Sequence, residues 1–336
     1  MKLFQTAALL FCASVALMGC DNKPAGGTGT PAAKAIRIGY VVKDGTAEWF
    51  RNEIKFAQQA GAKDGFEVVE MSATDGGAVM NALDTLSAKG CKATVLCTPD
   101  VKLGTSIVAS CKEKDIKLIT VDDRLVDAEG NPLTAVPHVG ISAFEIGKNV
   151  GASLHAEALK RGWKMEETGV VALNYEPLPT AMKRVEGAAA GLKAAGFPEA
   201  NIFFVSLPEP SIASSFNTAE SVFQKHAECK HWLVCGPNDD CVLGSVRRLE
   251  KDMKPIDIIG IGINGDKAAI DEFKKADLTG FFGTIQLEAR KHGEDTARAA
   301  YLWVKEGKVP AAETLTVGKL MTRENYVAVR KEQGLE

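Results

Sequence analysis

The chain has 336 residues, of which 46% are hydrophobic and 25% are charged. This composition is typical of a folded protein and argues against a disordered chain, and the length suggests two domains of about 150 residues each. The 40 basic and 43 acidic residues give a net charge of −3. A chain without a basic excess is poorly suited to neutralise phosphates, which argues against a nucleic-acid-binding protein.

The first segment predicts export and lipidation. Lys2 precedes an apolar run from residue 3 to residue 18, which is the pattern of a signal peptide. The run ends in Leu17-Met18-Gly19-Cys20, which resembles a bacterial lipobox. We therefore expect residues 1–19 to be a lipoprotein signal peptide and Cys20 to carry the lipid, with an ordinary signal peptide and a chance cysteine as the alternative. Asp21 resembles the signal that retains Gram-negative lipoproteins at the inner membrane.

Residues 20–35 are rich in Gly, Pro, Ala and Thr after the cysteine, a composition that predicts a flexible tether. No later stretch reaches the roughly 18 to 20 apolar residues that span a bilayer. We therefore expect the folded body, which starts near residue 36, to be held close to the membrane in the periplasm by the lipid on Cys20.

The body alternates predicted strands and helices. In its first half we predict strands at 36–42, 66–71, 93–97 and 116–121, and helices at 49–63, 78–88 and from about residue 102. In its second half we predict strands at 169–173, 202–206, 232–235 and 258–263, and helices at 181–194 and 214–226. Such alternation predicts an α/β fold with parallel sheets flanked by helices.

The two halves echo each other locally. The segment CKATVLCTPD at 91–100 parallels CKHWLVCGPN at 229–238, and LITVDD at 118–123 parallels IIGIGIN at 258–264. We interpret these echoes as two similar α/β lobes, with chance similarity between buried strands as the alternative.

Polar residues follow the predicted strands of both halves. In open α/β sheets, ligands bind outside the carboxyl ends of the strands. These residues, which two facing lobes would bring around one cleft, are Lys43, Asp122, Asp123, Asn238 and Asn264.

Three further side chains complete a set that suits a sugar. Trp49 and Phe50 stand at a predicted helix start near the strand end at Lys43, where an aromatic ring can cover the apolar face of a sugar; core packing is the alternative. Arg184 lies one turn into a predicted helix, and its fixed donors suit hydroxyl and ring oxygens, with a surface charge as the alternative. Hydroxyl groups are both donors and acceptors, so charged planar groups form strong hydrogen bonds with them.

The patterns of other chemistries are weak or missing. Gly260-Ile-Gly-Ile-Asn-Gly265 matches the dinucleotide fingerprint, but its first two glycines lie within a predicted strand rather than in a turn that opens a helix. The sequence holds no C-x-x-C or H-E-x-x-H metal pattern and no G-x-S-x-G elbow of a serine hydrolase. We therefore expect no metal, no cofactor and no enzymatic activity.

Several blocks, among them GYVVKDGTAEWF, VDDRLVDAEGNPL, KHWLVCGPNDDCVLGSVR and IIGIGINGD, resemble the type I periplasmic sugar-binding proteins of ABC importers. The resemblance covers about residues 36–335. It implies two doubly wound parallel-sheet lobes joined by three crossovers, with residues 36–141 plus 286–317 in the N-terminal lobe and 142–285 plus 318–336 in the C-terminal lobe.

The resemblance also implies a function. The lobes of such a protein close on a monosaccharide, for which L-arabinose or a related aldopentose or hexose is the first candidate here. The closed form is then presented to an ABC permease and its ATPase in the inner membrane. We expect a monomer that binds no nucleic acid. A sugar sensor that presents the closed form to a membrane chemoreceptor or kinase is the alternative.

The resemblance assigns sugar contacts residue by residue. From the N-terminal lobe come the hydroxyl-binding Lys43, Asp122 and Asp123, the apolar Trp49 and Phe50, and Cys97 at the floor. From the C-terminal lobe come Thr180, Arg184, Asn238 and Asn264. At the first crossover Ile141 aligns with a specificity-tuning methionine of the family.

Departures from the family pattern surround these contacts. Ala47 stands where the family has a glutamate, with Glu48 beside it, and Lys267 stands where an aspartate is expected, with Asp266 beside it. Glu48 and Asp266 are therefore further candidate contacts. Pro237 replaces a methionine of the family. These changes leave the identity of the sugar open.

One disulfide is a hypothesis. Cys91 precedes a predicted strand, and Cys111 ends the helix that runs back antiparallel to that strand, so the two should be neighbours. The periplasm permits a Cys91–Cys111 bridge. Buried free thiols are the alternative.

Overall fold

The structure, a computed structural model, describes residues 35–335. The predicted signal peptide, the predicted lipid attachment at Cys20 and all of the predicted tether except Ala35 lie outside the described residues.

The strands are β1 (Arg37–Val42), β2 (Glu67–Ser72), β3 (Ala93–Leu96), β4 (Lys117–Asp122), β5 (His138–Ile141), β6 (Thr168–Asn174), β7 (Ile202–Ser206), β8 (His231–Cys235), β9 (Ile258–Asn264), β10 (Phe281–Gln286), β11 (Glu313–Thr316) and β12 (Lys319–Thr322). The helices are α1 (Glu48–Asp64), α2 (Gly76–Ala88), α3 (Gly104–Glu113), α4 (Ala143–Lys160), α5 (Pro179–Ala194), α6 (Ile212–Lys225), α7 (Asp239–Leu249), α8 (Lys267–Phe273), α9 (Ala289–Glu306) and α10 (Tyr326–Glu332).

The strands form two six-stranded sheets. The first has the order β11-β5-β4-β3-β1-β2, and the second has the order β12-β10-β9-β8-β6-β7. All neighbours in the first sheet are parallel, and in the second sheet only β12 runs antiparallel to its neighbour, β10. Helices connect the successive parallel strands at the centre of each sheet, so the predicted α/β fold with two largely parallel sheets is confirmed.

The two sheets share one winding order. Strand β3 occupies the same place in the first sheet as β8 does in the second, and β4 corresponds to β9. These are the strands whose sequences echo each other. The chain passes between the sheets three times, after β5, after β10 and between β11 and β12. Polar residues at equivalent strand ends therefore face the region where the crossovers gather.

Apolar side chains cover both faces of each sheet. One face of the first sheet packs on α1 and α9, and the other face packs on α2 and α3. In the second sheet α4 and α5 cover one face, while α6, α7 and α8 cover the other. Strands buried on both faces read as nearly continuous apolar runs, as β9 does. No helix among residues 35–335 is both long and apolar enough to cross a lipid bilayer.

The cysteines of the described residues are free thiols, so the hypothetical Cys91–Cys111 disulfide is not formed in this structure. Both side chains are buried in the apolar layer between the first sheet and helices α2 and α3. Burial raises the pKa of Cys111 to about 12. A thiol held protonated in an apolar layer is unreactive, which agrees with the alternative of buried free thiols.

Candidate functional site

A cavity of about 360 Å³ lies at the carboxyl ends of the strands and is lined from both sheets. Its size is within the range of small-molecule sites. The residues predicted as contacts that line it are Lys43, Glu48, Trp49, Phe50, Asp122, Asp123, Ile141, Thr180, Arg184, Asn264 and Asp266. The fold therefore brings these side chains together, while their contact with a ligand stays a prediction.

Two predicted contacts do not line this cavity. Cys97 is buried beneath it, with its Sγ atom 3.5 Å from Oδ2 of Asp123. Asn238 caps the N-terminus of α7, where its Oδ1 accepts a hydrogen bond of 2.9 Å from the backbone N–H of Cys241. Its Nδ2 donates to the carbonyl oxygen of Pro210 over 3.3 Å. These bonds occupy the Asn238 side chain, and its predicted ligand contact stays a prediction.

An ion pair marks the wall contributed by the first sheet. Nζ of Lys43 lies 2.5 Å from Oδ2 of Asp123, and about a third of each side chain is exposed. The ammonium group also lies 5.8 Å from the centre of the Phe50 ring. Burial lowers the pKa of Lys43, but the proximity of Cys97 and Asp123 raises it above its ordinary value. The cavity therefore holds a fixed cation beside a carboxylate.

Asp122 ends β4 in a left-handed backbone conformation, with φ of 61°. Its Oδ2 accepts a 3.1 Å hydrogen bond from Nε1 of Trp49, and its Oδ1 lies 2.9 Å from Nδ1 of His292. The Trp49 and His292 rings meet edge to face with centres 5.3 Å apart. The carboxylate thus fixes the indole at the cavity wall, and His292 fixes the carboxylate from behind.

A fully buried glutamate completes this group. Glu53 on α1 is not exposed, and its Oε1 lies 3.3 Å from Nδ1 of His292, which is also fully buried. The two helices approach closely at Gly293, because a Cβ atom there would collide with the backbone carbonyl of Glu53. Burial and the charge of Asp122 raise the pKa of Glu53 well above its ordinary value. Both effects favour the protonated form of the Glu53 carboxyl group.

His292 is the basic residue of the group. Burial lowers its pKa, but the carboxyl groups of Asp122 and Glu53 raise it, and the net result is a pKa of about 9. Its Nε2 lies 2.9 Å from Oγ1 of Thr316. One side-chain atom from each of Glu53, Asp122 and His292 lies within 4.8 Å of the other two, close enough to hold a metal ion. However, both ring nitrogens are already bonded to protein oxygens, so the geometry is that of a hydrogen-bonded ion cluster.

Arg184 forms the wall contributed by the second sheet. Its Nη1 donates to the carbonyl oxygen of Pro237 over 2.6 Å and to Oδ1 of Asn264 over 3.3 Å. Burial lowers the pKa of Arg184 to about 10, while the carboxyl of Asp239 raises it. The guanidinium therefore remains charged at neutral pH. Its buried Nε has no hydrogen-bond partner among the described residues.

The arrangement suits a small neutral ligand with many hydroxyl groups. Lys43 and Arg184 offer cationic donors from the walls contributed by the two sheets, and Asp122 and Asp123 offer acceptors. Trp49 contributes an aromatic ring to the same cavity, which can cover an apolar ligand face. Donors and acceptors in this alternation bind hydroxyls on both sides of a ring.

Several residues that line the cavity were not predicted from the sequence: Asn52, Ala143, Gly265, Gln286, Leu287, Ala289, Arg330 and Leu335. Gln286 ends β10 as Asn264 ends β9, so the strand-end rule already applied to Asn264 would have found it. Arg330 and Leu335 come from the C-terminal segment, where no local pattern indicates a cavity. Glu53 and His292 lie behind the lining and also escaped prediction.

Known proteins match most of the sequence of this chain. The family described as periplasmic binding proteins and sugar-binding domain of the LacI family matches residues 35–324. A protein of Azospirillum brasilense named ABC transporter L-arabinose-binding periplasmic protein is 42% identical over 93% of this chain and 94% of its own length. The L-arabinose-binding periplasmic protein of Escherichia coli (strain K12) is 42% identical over 90% of this chain and 92% of its own.

A solved structure shares the fold. The crystal structure of a periplasmic ribose ABC transporter from Conexibacter woesei DSM 14684 superposes with a TM-score of 0.71, covering 90% of this chain and 97% of that chain. Its sequence is 15% identical to this one, so the likeness concerns the fold alone.

Proposed function

The chain belongs to the family of periplasmic binding proteins and LacI-type sugar-binding domains, and we propose that it is the solute-binding protein of an ABC sugar importer. The family resemblance predicted from the sequence is confirmed. Both curated relatives are binding proteins rather than enzymes, in agreement with the expectation of no catalytic activity. The observation that carries the proposal is one cavity in which Lys43 and Arg184 offer fixed donors from two sheets.

The proposed ligand is a monosaccharide, with L-arabinose first. Both relatives named above bear L-arabinose in their names, and each matches more than nine-tenths of its own length. The alternation of cations, carboxylates and an aromatic ring in the cavity supports a polyhydroxylated ring as the ligand. Ile141 and Leu287 line the same cavity and supply apolar surface that helps to decide which ring substituents fit.

We assign the sugar contacts to the predicted residues that line the cavity. Lys43, Asp122 and Asp123 would bond hydroxyls from the first sheet, and Arg184 and Asn264 from the second. The two lobes predicted from the sequence would close on the sugar, since a ligand that bonds to both lobes favours the closed state. The three crossovers would then act as the hinge.

The proposed location is the periplasm, with a lipid anchor at Cys20. The names of the relatives support the periplasm, and the lipobox-like Leu17-Met18-Gly19-Cys20 supports the anchor. Asp21 favours the inner membrane, where the permease and ATPase of an importer lie. We propose that the protein acts there as a monomer.

Calorimetry and thermal unfolding with L-arabinose test this function, with D-arabinose as the matched control of opposite configuration. A ligand that binds only the folded state raises its stability by about 4 kcal/mol at ~1,000-fold excess over Kd. We expect a large shift with L-arabinose or with one of a panel of related aldopentoses and hexoses. No shift with any monosaccharide would overturn the proposal. A shift with a different sugar would retain the function and replace the ligand.

A further inference from the structure

A second buried carboxylate lies behind the wall contributed by the second sheet. Asp239 is the first residue of α7 and is completely buried. Its Oδ2 accepts hydrogen bonds from the backbone N–H groups of Gly265 and Asp266, over 2.9 Å and 3.1 Å. Its Oδ1 has no hydrogen-bond partner among the described residues. Asp239 does not line the cavity, whereas both residues that it binds do.

The turn that Asp239 binds has an unusual backbone. Asn264 has φ of 127° and Gly265 has φ of 73°. A non-glycine residue with such a φ is strained and persists only where the surroundings hold it. Consecutive N–H groups that converge on one side of the chain form a concave site for an anion. In this protein the anion is the carboxylate of Asp239.

Two neighbouring side chains hold the same turn. Oγ1 of Thr284 accepts a 3.2 Å hydrogen bond from the N–H of Gly265. Nε2 of Gln286 donates to the carbonyl oxygen of Asn264 over 3.2 Å. On the opposite side, Oδ1 of Asn264 accepts from Arg184. The turn therefore links Asp239 to the side chains that face the cavity.

We propose that Asp239 is a positioning residue of the sugar site, fixing the turn of residues 264–266 so that Asn264 and Arg184 are held in binding geometry. The inference rests on the proposed function, because it assigns a role in sugar binding to a residue that does not reach the cavity. The glycine at position 262 supports a fixed location for the Asp239 carboxyl group, since a Cβ atom on Gly262 would collide with Oδ1 of Asp239.

The charge of Asp239 gives this role a measurable signature. Burial raises the pKa of Asp239 to about 7, and the neighbouring Asp266 acts in the same direction. The Asp239 carboxyl raises the pKa of the Arg184 guanidinium, because the two groups attract each other. Asp240 and Glu48 are also nearby, and both raise the pKa of Asp266.

A bound sugar displaces water from around Arg184 and so strengthens its attraction to the Asp239 carboxylate. The pKa of Asp239 then falls on binding, and the protein releases a proton. Affinity is therefore higher above the pKa of the free protein than below it. The proposal thus predicts tighter sugar binding as the pH rises through neutrality.

The test is a double-mutant cycle in which calorimetry measures the affinity of each purified protein for L-arabinose. The variants are Asp239→Ala, Asn264→Ala and the double variant, with Asp271→Asn on α8 as an exposed control carboxylate. We expect Asp239→Ala alone to weaken binding about tenfold or more, and to weaken it about threefold or less when Asn264 is already alanine. Asp271→Asn should leave the affinity unchanged.

The variant Asp239→Asn keeps the shape of the side chain and provides a second readout if Asp239→Ala does not fold. We expect it to fold and to bind with a pH dependence much smaller than that of the wild type between about pH 5.5 and 8.5. Additive losses in the cycle, or an unchanged pH profile in Asp239→Asn, would overturn the inference. A wild-type protein that binds none of the monosaccharides of the panel would instead overturn the proposed function.

Discussion

His292 on α9 holds Asp122 on β4, with Nδ1 of the imidazole 2.9 Å from Oδ1 of the carboxylate. The two residues are 170 positions apart in the chain. Asp122 in turn accepts from the indole of Trp49 at the cavity wall. His292 follows the second crossover in the chain. It therefore orients Asp122 and, through it, Trp49, which both precede the first crossover.

The charge on His292 predicts a pH-dependent stability. The folded-state pKa of about 9 lies above the value of about 6.5 expected for an unfolded chain. The charged ring therefore stabilises the fold fully below about pH 6.5, and this contribution is lost as the pH rises through about 9. It amounts to at most about 3.4 kcal/mol. Urea unfolding of the wild type and of His292→Gln at several pH values measures it.

The control for this measurement is His155→Gln, since His155 lies partly buried on α4 and away from the cavity. We expect His155→Gln to follow the pH profile of the wild type, whereas the profile of His292→Gln should be flatter between about pH 6.5 and 9. Equal profiles for His292→Gln and the wild type would show that folding does not raise the pKa of His292.

Glu53→Gln should stabilise the fold increasingly as the pH rises above about 4.3, the ordinary pKa of glutamate in an unfolded chain. Burial and the charge of Asp122 raise the pKa of Glu53 in the folded protein, so the unfolded chain loses this proton at a lower pH than the folded protein does. Between these two pKa values the wild type loses stability with rising pH, whereas glutamine has a similar shape and no proton to lose. We expect the two proteins to have similar free energies of unfolding near about pH 4.3 and the variant to be the more stable protein at pH 7.

Glu53→Ala provides the comparison, since it removes the same group and leaves a cavity that costs about 2 kcal/mol or more. Urea unfolding at about pH 4.3 and at pH 7 compares the three proteins. If Glu53→Gln loses as much stability as Glu53→Ala at pH 7, the carboxylate is ionised and paired with His292.

Arg184→Ala should weaken sugar binding strongly. Arg184 is held by Pro237 and Asn264, so its removal leaves two acceptors in the cavity wall without their donor. We expect a loss of about 2 to 3 kcal/mol in the free energy of binding, roughly 30- to 150-fold in Kd. Lys183→Ala, at the exposed neighbouring position, should bind as the wild type does. An unchanged Kd in Arg184→Ala would refute the site assignment.

The cavity residues at strand ends could be predicted from the sequence, because their placement follows a topological rule. Asp122 and Asn264 end strands that occupy equivalent places in two parallel sheets, and such ends meet where ligands bind. The same rule extends to Gln286. Apolar runs in β4 and β9 predicted the strands themselves, since strands buried on both faces are continuously hydrophobic.

The buried residues behind the cavity lining could not be predicted in this way. Glutamate is almost never fully buried, so its residue type argues for an exposed side chain, although Glu53 stands three residues after Phe50 on the buried face of α1. Its burial depends on α9, which follows more than 200 residues later and approaches it closely at Gly293. The four-residue strands β5, β11 and β12 are also too short for a reliable periodic signal.

The spacing of the glycines in α4 and α5 indicates a close contact between these two helices, and this contact affects the site. Gly147 and Gly151 on α4 face Gly187 and Gly191 on α5, and a Cβ atom on Gly187 would collide with the carbonyl of Phe144. The two helices therefore pack backbone against backbone.

Gly187→Ala should separate the helices, at a cost of about 1 to 3 kcal/mol in the free energy of unfolding. Because α5 also carries Arg184, we expect sugar affinity to fall as well, by about threefold or more. Thermal unfolding and calorimetry measure the two effects, with Lys193→Ala, which breaks an exposed ion pair on α5, as the control. If Gly187→Ala loses stability but keeps full affinity, the helix contact does not set the position of Arg184. If it loses neither, α5 can shift without cost, and the close approach of the two backbones is not what holds this wall of the cavity in place.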